Sequence, residues 1–412
     1  MHDNLSSESE PFMGDPALTL VDIELRGQSV GAMLCQALHS VRLHLEMDVA
    51  FVAEFAGNLR VFRYVDGASE CAAIQAGNAD PLCDSYCQRV MDGRFPQIIP
   101  DTSKLPAAAA LPITAMLSIG AYIGVPIRFS DGQLYGTLCC FRTQPDETLN
   151  ERDLATLRVF AEFSGRLLET QARQEREHEA MRASICSVLD GHLYRVVYQP
   201  IVDVWQNRVV GYEALARFQP EPQRAPDIWL GDAGRVGLQC ELEAVLIEEA
   251  FKGLRQIPDA YLSVNVSPET VLSGALRPLL DGLPLDRLMI EITEHTSIPD
   301  YQPLSDALAP MREGGLSLAV DDAGAGYASF RHILQLKPDV IKLDGSLIRN
   351  IDSKDDCRAL ASALIRFGQE TGSRIVAECV ETRAELDMLR ELQVSNVQGY
   401  LLGRPMPLAA CG

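Results

Sequence analysis

Two adjacent carboxylates follow directly on an apolar segment. Residues 317–329 read Ser-Leu-Ala-Val-Asp-Asp-Ala-Gly-Ala-Gly-Tyr-Ala-Ser, so Asp321 and Asp322 end the apolar run and Gly324 and Gly326 come next. Neighbouring strand residues point to opposite faces, so these carboxylates converge only if the strand ends and the glycines turn the backbone. They repel each other unless a cation or proton lies between them, and Mg²⁺ prefers oxygen ligands. The segment therefore predicts a divalent-metal site, with a turn of solvated acids as the alternative.

The elements that must position these acids are predicted strands and helices that alternate over residues 187–412, a length typical of a (β/α)8 barrel. The predicted strands are Leu193–Val202, Val209–Ala216, Tyr261–Val266, Arg287–Ile292, Leu316–Val320, Val340–Leu343, Arg374–Ala377 and Val394–Tyr400. Only residues 203–208 join the first two strands, too few for a crossover helix, so this pair is predicted to be antiparallel. The expected fold is a modified α/β barrel with an antiparallel first strand.

Polar residues lie within or just after the successive strands. They are Glu213, Asn265, Glu291, Asp321, Asp322, Lys342, Glu378 and Gln398. Each alone would be a surface acid or a helix cap, but barrel enzymes gather such residues at one end of the barrel. Five carboxylates and one lysine in a confined space are tolerable only with divalent cations. The pattern predicts a metal-dependent active site.

The composition narrows the class of protein. The 412 residues, 47% hydrophobic and 23% charged, predict two or three domains with ordinary cores. A formal net charge of −21 argues against a broad surface for nucleic acid or anionic membranes. The eleven cysteines lack the paired spacings of a zinc site and are expected to be reduced thiols.

The first residues of the sequence are not expected to form a signal peptide. Residues 1–16 are acidic and polar, without the apolar run of a signal peptide, and are predicted to be a disordered leader. No run of about 18 uncharged apolar residues occurs to span a bilayer. We therefore expect a cytoplasmic protein without a membrane partner.

Residues 17–150 predict a separate α/β domain. A helical pattern over residues 18–45 precedes two hairpins, whose turns are Gly57-Asn58 and Asp131-Gly132. Between them, residues 68–118 hold a Pro- and Ala-rich stretch at 105–112, predicted to be a flexible lid or filler over any pocket.

This N-terminal pattern resembles a GAF sensory domain over about residues 17–170. The stretches that carry the likeness are I-G-A-Y-I-G-V-P and D-G-x-L-Y-G-T-L-C-C. The resemblance implies a ligand-binding or signalling module but does not choose among a cyclic nucleotide, a tetrapyrrole, haem or no small ligand. A packing and dimerisation module without ligand is the equal alternative.

A long helix is predicted to follow, over residues 151–186. Its apolar residues keep helical spacing at first, and residues 169–179 are then a nearly apolar-free run of good helix formers. Such a helix fits a signalling rod in a parallel homodimer, although a solvated linker in a monomer explains it equally well.

The barrel residues resemble the EAL family of cyclic di-GMP phosphodiesterases over about residues 185–410. The motifs, in chain order, are Y-Q-P-I, G-Y-E-A-L-A-R, S-V-N-V-S-P, E-I-T-E, D-D-x-G-x-G-Y-x-S, I-K-L-D, A-E-x-V-E-T and V-Q-G-Y-L-L-G-R-P-M-P. The resemblance implies hydrolysis of cyclic di-GMP to linear 5′-pGpG with two Mg²⁺ or Mn²⁺ ions. A catalytically weak or silent cyclic di-GMP receptor is the alternative, and a barrel hydrolase or aldolase for another phosphorylated substrate is a third.

The resemblance also implies a role for each matching residue. The first metal would be held by Glu213, Asn265, Glu291 and Asp321, and the second by Asp321, Asp322 and Glu378. Lys342 would orient the attacking water, and Glu213 and Glu378 would share the catalytic work with it. Gln199, Arg217 and Gln398 would contact the substrate. Glu294 and Glu381 would anchor the loop after Asp322.

Two departures from the family pattern bear on rate and regulation. Ala323 stands where the family loop has an aromatic residue, and Ala325 and Ala328 stand where hydroxyls are common. Cys379 replaces a usual glycine. The small Ala323 side chain predicts a loosely held loop and slow turnover, which Ala323→Phe would correct unless neighbouring residues have repacked around the alanine.

Overall fold

The computed structural model describes residues 29–67, 74–293, 298–324 and 328–408. The chain divides into two units, residues 1–176 and residues 177–412. The predicted leader, residues 1–16, lies outside the described residues. No helix of the described ranges is both long enough and apolar enough to cross a membrane.

The first unit is built on one six-stranded antiparallel sheet with the order β3-β2-β1-β6-β5-β4. Its strands are β1 (Val49–Ala56), β2 (Leu59–Asp66), β3 (Ala79–Pro81), β4 (Ile98–Ile99), β5 (Ala121–Arg128) and β6 (Leu134–Arg142). Its helices before the long one are α1 (Val30–His44), α2 (Tyr86–Met91), α3 (Pro106–Ala109) and α4 (Pro112–Met116). Both predicted hairpins are present, as β1 with β2 and β5 with β6.

Each face of this sheet carries its own core, because successive strand residues alternate in direction. Cys140 of β6 packs on the face covered by α1, whereas the preceding Cys139 packs on the face covered by α2. The Pro- and Ala-rich stretch forms α3 and α4, with Ala108 and Leu111 buried in the second core. These two buried residues therefore pack the stretch against this face of the sheet.

The predicted long helix is α5 (Glu151–Asp190), 40 residues in length. Its first turns bury Leu154, Leu157 and Ala161 in a core of the first unit. Residues 173–180 are exposed, and near the end Ile185 and Val188 are buried in a cluster of the second unit. The division between the units falls inside this helix.

The second unit is the predicted barrel. Its strands are β7 (Tyr194–Asp203), β8 (Arg208–Phe218), β9 (Tyr261–Asn265), β10 (Leu288–Thr293), β11 (Ser317–Ala323), β12 (Val340–Leu343), β13 (Arg374–Ala377) and β14 (Asn396–Gln398). Its helices are α6 (Pro226–Arg235), α7 (Gln239–Phe251), α8 (Pro268–Leu272), α9 (Leu276–Leu280), α10 (Gln302–Glu313), α11 (Ala328–Leu336), α12 (Gly345–Ile348), α13 (Asp355–Thr371) and α14 (Arg383–Glu391).

The eight strands close in the order β10-β11-β12-β13-β14-β7-β8-β9. β7 is antiparallel to both of its neighbours, β8 and β14, and the other neighbouring pairs are parallel. The modified barrel with an antiparallel first strand is thus confirmed.

Candidate functional site

The polar residues of the barrel follow from the period of two along a strand. A small apolar cluster made of strand residues includes Met289, Ala319, Val340 and Val376, and it is separate from the large core packed against the helices. Moving two residues along each strand gives Glu291, Asp321, Lys342 and Glu378, which therefore point into the same interior. We call this apolar cluster the apolar floor, and the polar side chains that lie next to it inside the barrel the polar layer.

The antiparallel strand β7 contributes to the same layer in the opposite direction. Ile201 belongs to the apolar floor, and Gln199, two residues earlier in the chain, lies opposite Glu213 in the register of β8. Gln398 Nε2 donates to Gln199 Oε1 (3.1 Å) and to Glu213 Oε2 (2.6 Å). Asn265 Nδ2 donates to Glu213 Oε1 (3.2 Å). Amide side chains from two strands, β9 and β14, therefore hold the Glu213 carboxylate, and Gln199 of β7 accepts a hydrogen bond from one of them, Gln398.

Asp321 and Asp322 converge by a different route from the one their sequence predicts. β11 does not end before them but continues to Ala323, and its pairing with β12 gains one extra residue between Val320 and Ala323. Within this bulge Asp322 takes a left-handed backbone, with φ of 57°. A bulge that re-aims a side chain brings the two carboxylates to one place.

The turn that follows needs a glycine at one position. Gly324 has φ of 107°, and a Cβ there would lie 2.3 Å from the Leu347 side chain. Gly326, the second glycine of the expected turn, lies outside the described residues.

Lys342 is the centre of the polar layer. Its ammonium lies 2.6 Å from Glu291, 2.6 Å from Glu378, 3.1 Å from Asp321 and 3.4 Å from Glu213. The lysine side chain is only 1% exposed. One buried cation therefore faces four carboxylates.

The pKa values of these groups reflect the presence of one lysine among four carboxylates. Burial lowers the pKa of Lys342, but the surrounding carboxylates, Asp321 first, outweigh burial and raise it well above its usual value. Burial raises the pKa of Glu291 and of Glu378, and the Lys342 charge offsets this only in part. The lysine therefore stays protonated, whereas burial makes the charged forms of Glu291 and Glu378 costly unless further cations join them.

The donor atoms fit a pair of hard divalent cations. Carboxylate oxygens of Glu213, Glu291 and Asp321 lie within 4.8 Å of one another, and so do those of Asp321, Asp322 and Glu378. Buried oxygens of Glu291 and Gln398 have no hydrogen-bond partner in the described part of the chain. Oxygen-only donors with unsatisfied lone pairs suit Mg²⁺ or Mn²⁺. Asp321 belongs to both groups.

Two neighbouring cavities open on this site. The first, of about 340 Å³, is lined by Gln199, Glu213, Leu215, Asp321, Arg349, Glu378, Cys379, Glu381, Gln398, Gly399 and Tyr400. The second, of about 370 Å³, includes Arg217 and Asn265 and shares Leu215 with the first. The predicted substrate residues are thus divided, with Gln199 and Gln398 in the first cavity and Arg217 in the second.

Of the two predicted loop anchors, Glu381 is the one among the described residues. Glu381 is exposed and lines the first cavity. Glu294 lies outside the described residues, as do residues 325–327 of the loop that it was expected to anchor.

Sequence reasoning assigned no site role to five residues of the first cavity: Leu215, Arg349, Cys379, Gly399 and Tyr400. Arg349 and Tyr400 line it, and Tyr400 carries the Arg404 guanidinium 4.3 Å above its ring. Cys379 also lines it and has a left-handed backbone with φ of 54°, which a side chain disfavours by about 1–2 kcal/mol. The glycine expected at this position was the one sequence signal of that backbone.

Ala323 is not part of a loosely held loop. It is 0% exposed within β11 and belongs to the large core, as do Leu347 and Leu364. Those two leucines also lie against the position that a Cβ on Gly324 would occupy. The structure therefore favours the repacked alternative over the expected gap.

These features define a class of protein, a modified (β/α)8 barrel with a lysine-centred carboxylate site. The family model of the EAL domain matches residues 181–405, more than half of the chain, and that of the GAF domain matches residues 27–168. The chain belongs to the EAL domain family and carries a GAF domain before the barrel.

Individual relatives agree with this assignment. The chain is 31% identical to the cyclic di-GMP phosphodiesterase NbdA of Pseudomonas aeruginosa over 71% of its own length, but spans only 38% of that protein. A solved PaMucR phosphodiesterase in complex with c-di-GMP is 28% identical with a TM-score of 0.52, covering 57% of this chain and 100% of that one. An EAL domain protein from Listeria monocytogenes is 26% identical with a TM-score of 0.50, covering 55% and 93% of the two chains.

Removing the Lys342 charge is expected to destabilise the metal-free protein. Lys342→Met leaves four clustered carboxylates without their cation, and breaking a buried ion pair costs about 3–5 kcal/mol. In EDTA at pH 8 the variant should melt well below the wild type. Saturating Mn²⁺ should raise the melting temperature of the variant towards that of the wild type in EDTA, because a ligand at 100 times its Kd stabilises the folded state by about 2.7 kcal/mol.

The matched control is Lys252→Met, at a lysine whose side chain is 65% exposed. Its melting temperature should stay near that of the wild type with or without Mn²⁺. Equal melting of Lys342→Met and the wild type in EDTA would contradict the assigned charge balance.

Enlarging Ala323 is expected to be harmful. Ala323→Phe places a ring in a filled core and should cost about 1–3 kcal/mol of unfolding free energy. Ala359→Phe makes the same change at an exposed position of α13 and should cost little. Urea unfolding of both variants checks this, and a wild-type or higher stability of Ala323→Phe would show that the original expectation of a vacant pocket was right.

Proposed function

We propose that the barrel hydrolyses cyclic di-GMP to linear 5′-pGpG with the help of two divalent cations. The observation that carries the proposal is the pair of acidic groups that share Asp321, one extending to Glu213 and Glu291 and the other to Asp322 and Glu378. Membership of the EAL family and the names of the relatives support cyclic di-GMP as the substrate.

Two Mg²⁺ or Mn²⁺ ions have ligands of the right chemistry here. The first would be held by Glu213, Asn265, Glu291 and Asp321, and the second by Asp321, Asp322 and Glu378. When bound, such a pair activates water and neutralises charge on the phosphodiester. Glu213 is held by Gln398 and Asn265, so its carboxylate is oriented before a cation binds.

Lys342 is assigned to positioning rather than to proton removal. A lysine whose pKa is held well above its usual value is a poor general base at neutral pH. Its ammonium can instead donate hydrogen bonds to the attacking water and stabilise negative charge as it develops on the phosphate.

The cyclic dinucleotide would lie across both cavities. Arg217 of the second cavity offers the planar, charge-assisted contact that a phosphate oxygen prefers. Gln199 and Gln398 line the first cavity beside the carboxylates and offer amide groups to the substrate.

Incubating the chain with cyclic di-GMP and Mn²⁺, followed by chromatography, tests the activity: 5′-pGpG is expected. Binding of cyclic di-GMP without turnover would leave the silent receptor as the function.

Asp322→Asn is expected to lower turnover by orders of magnitude, because an amide is a weaker ligand for the second cation and cannot neutralise its charge. Binding of cyclic di-GMP should remain measurable, since Arg217 is untouched. Asp387→Asn, at a side chain 56% exposed on α14, serves as the control with an unchanged rate. Wild-type turnover in Asp322→Asn would contradict the two-metal assignment.

We further propose that residues 17–150 act as a GAF sensor and that the helix from residue 151 transmits its state to the barrel at 187–412 in a homodimer. Support comes from the GAF match and from the unbroken 40-residue α5. Deleting residues 1–150 should change the rate per barrel. An isolated barrel equal to the full chain in rate and in oligomeric state at all concentrations would contradict this role.

A further inference from the structure

Two buried thiols of the first unit lie close together although 52 residues separate them in sequence. Cys87 is on the short helix α2, and Cys139 is on the central strand β6. Their Sγ atoms are 3.6 Å apart, and both side chains are 0% exposed. The metal site of the barrel has no part in this pair.

The groups around the thiols suit a thiolate rather than a metal ion. Arg60 Nη1 donates to Cys87 Sγ (3.3 Å), and Tyr122 donates its hydroxyl to Cys139 Sγ (3.0 Å). A guanidinium beside the sulfur repels a cation and stabilises negative sulfur. Although burial raises the pKa of Cys87, the hydrogen bond from Cys139 and the Arg60 charge lower it overall, while burial raises the pKa of Cys139.

The guanidinium is itself firmly held. Arg60 is 3% exposed, donates from Nε to Asp80 Oδ1 (2.9 Å) and lies 4.7 Å over the Phe62 ring. Asp80 in turn lines a cavity of about 430 Å³ that also touches Asp84 and Met116. The Arg60–Asp80 ion pair therefore links Cys87 to the wall of a cavity large enough for a small molecule.

We propose that Cys87 and Cys139 are an oxidation site, at which a small hydroperoxide oxidises the two thiols to a disulfide with each other. The closing movement is short, because a disulfide needs the sulfurs about 2.05 Å apart and they already stand 3.6 Å apart. The bond joins α2 to the central strand of the sheet.

The chemistry balances with hydrogen peroxide as the two-electron oxidant. The Cys87 thiolate attacks one peroxide oxygen, the O–O bond breaks, and the departing hydroxide takes up the proton lost by the thiol, giving water and a Cys87 sulfenic acid. Cys139 sulfur then attacks the Cys87 sulfur, the S–O bond breaks, and hydroxide leaves with the Cys139 proton as a second water.

Peptide mapping of the full chain tests the site. The reduced protein is treated with hydrogen peroxide, remaining thiols are alkylated in denaturant, and digested peptides are analysed by mass spectrometry before and after reduction. The expected result is a Cys87–Cys139 linked peptide, two hydrogens lighter than its parts, which a thiol reductant separates.

Two variants sharpen the result. Cys140→Ser removes the adjacent buried thiol on the opposite face of the sheet and should leave the link unchanged. Cys139→Ser should abolish the link and leave Cys87 as a sulfenic acid that a dimedone probe captures. The proposal is overturned if the wild-type chain gives no Cys87–Cys139 peptide at a peroxide dose that oxidises the exposed Cys83, or if Cys87 links to a different cysteine.

Discussion

The barrel depends on a balance of buried charge. Among the described residues, Glu213, Glu291, Asp321 and Glu378 share the barrel interior with one ammonium, that of Lys342. Burying unpaired charge costs several kcal/mol for each ion. The strands hold the lysine at the centre of these acids, and the remaining carboxylate oxygens would suit divalent cations. The clustered carboxylates that destabilise the fold are therefore also the residues that carry the proposed activity.

The rest of the barrel holds this cluster in place. An apolar floor fills the interior beneath it, and strand alternation raises one polar side chain per strand above the floor. Reversing the first strand does not break the pattern, because Gln199 stands before Ile201 in the chain but on the same level as Glu213. With its neighbour Gln398, Gln199 forms an amide network that orients a carboxylate before any cation arrives.

Much of this could be predicted from sequence because the strands are apolar, their spacing is regular and the polar residues recur at their ends. The local backbone geometry of the site could not be predicted in this way. Asp322 and Cys379 adopt left-handed conformations that a side chain disfavours, and the glycine expected in place of Cys379 was the one sequence signal of such a backbone. The strand was predicted to stop before Asp321, but a bulge carries it on to Ala323. That bulge is fixed by pairing with β12, a partner distant in sequence.

Contacts between residues that are distant in sequence could not be predicted either. The alanine in the loop motif looked like a lost aromatic side chain, yet it lies in a core that other residues fill. Cys87 lies beside Cys139, which is 52 residues away in sequence, whereas Cys83, only four residues from Cys87, is exposed. Sequence spacing finds neighbours along an element, but packing decides which elements meet.

Anomalous diffraction from crystals soaked in Mn²⁺ tests the central claim most directly. Two manganese peaks are expected inside the barrel, both within coordination distance of the Asp321 carboxylate, one of them near Glu291 and the other near Asp322. A single peak, or two peaks that do not share Asp321, would contradict the account.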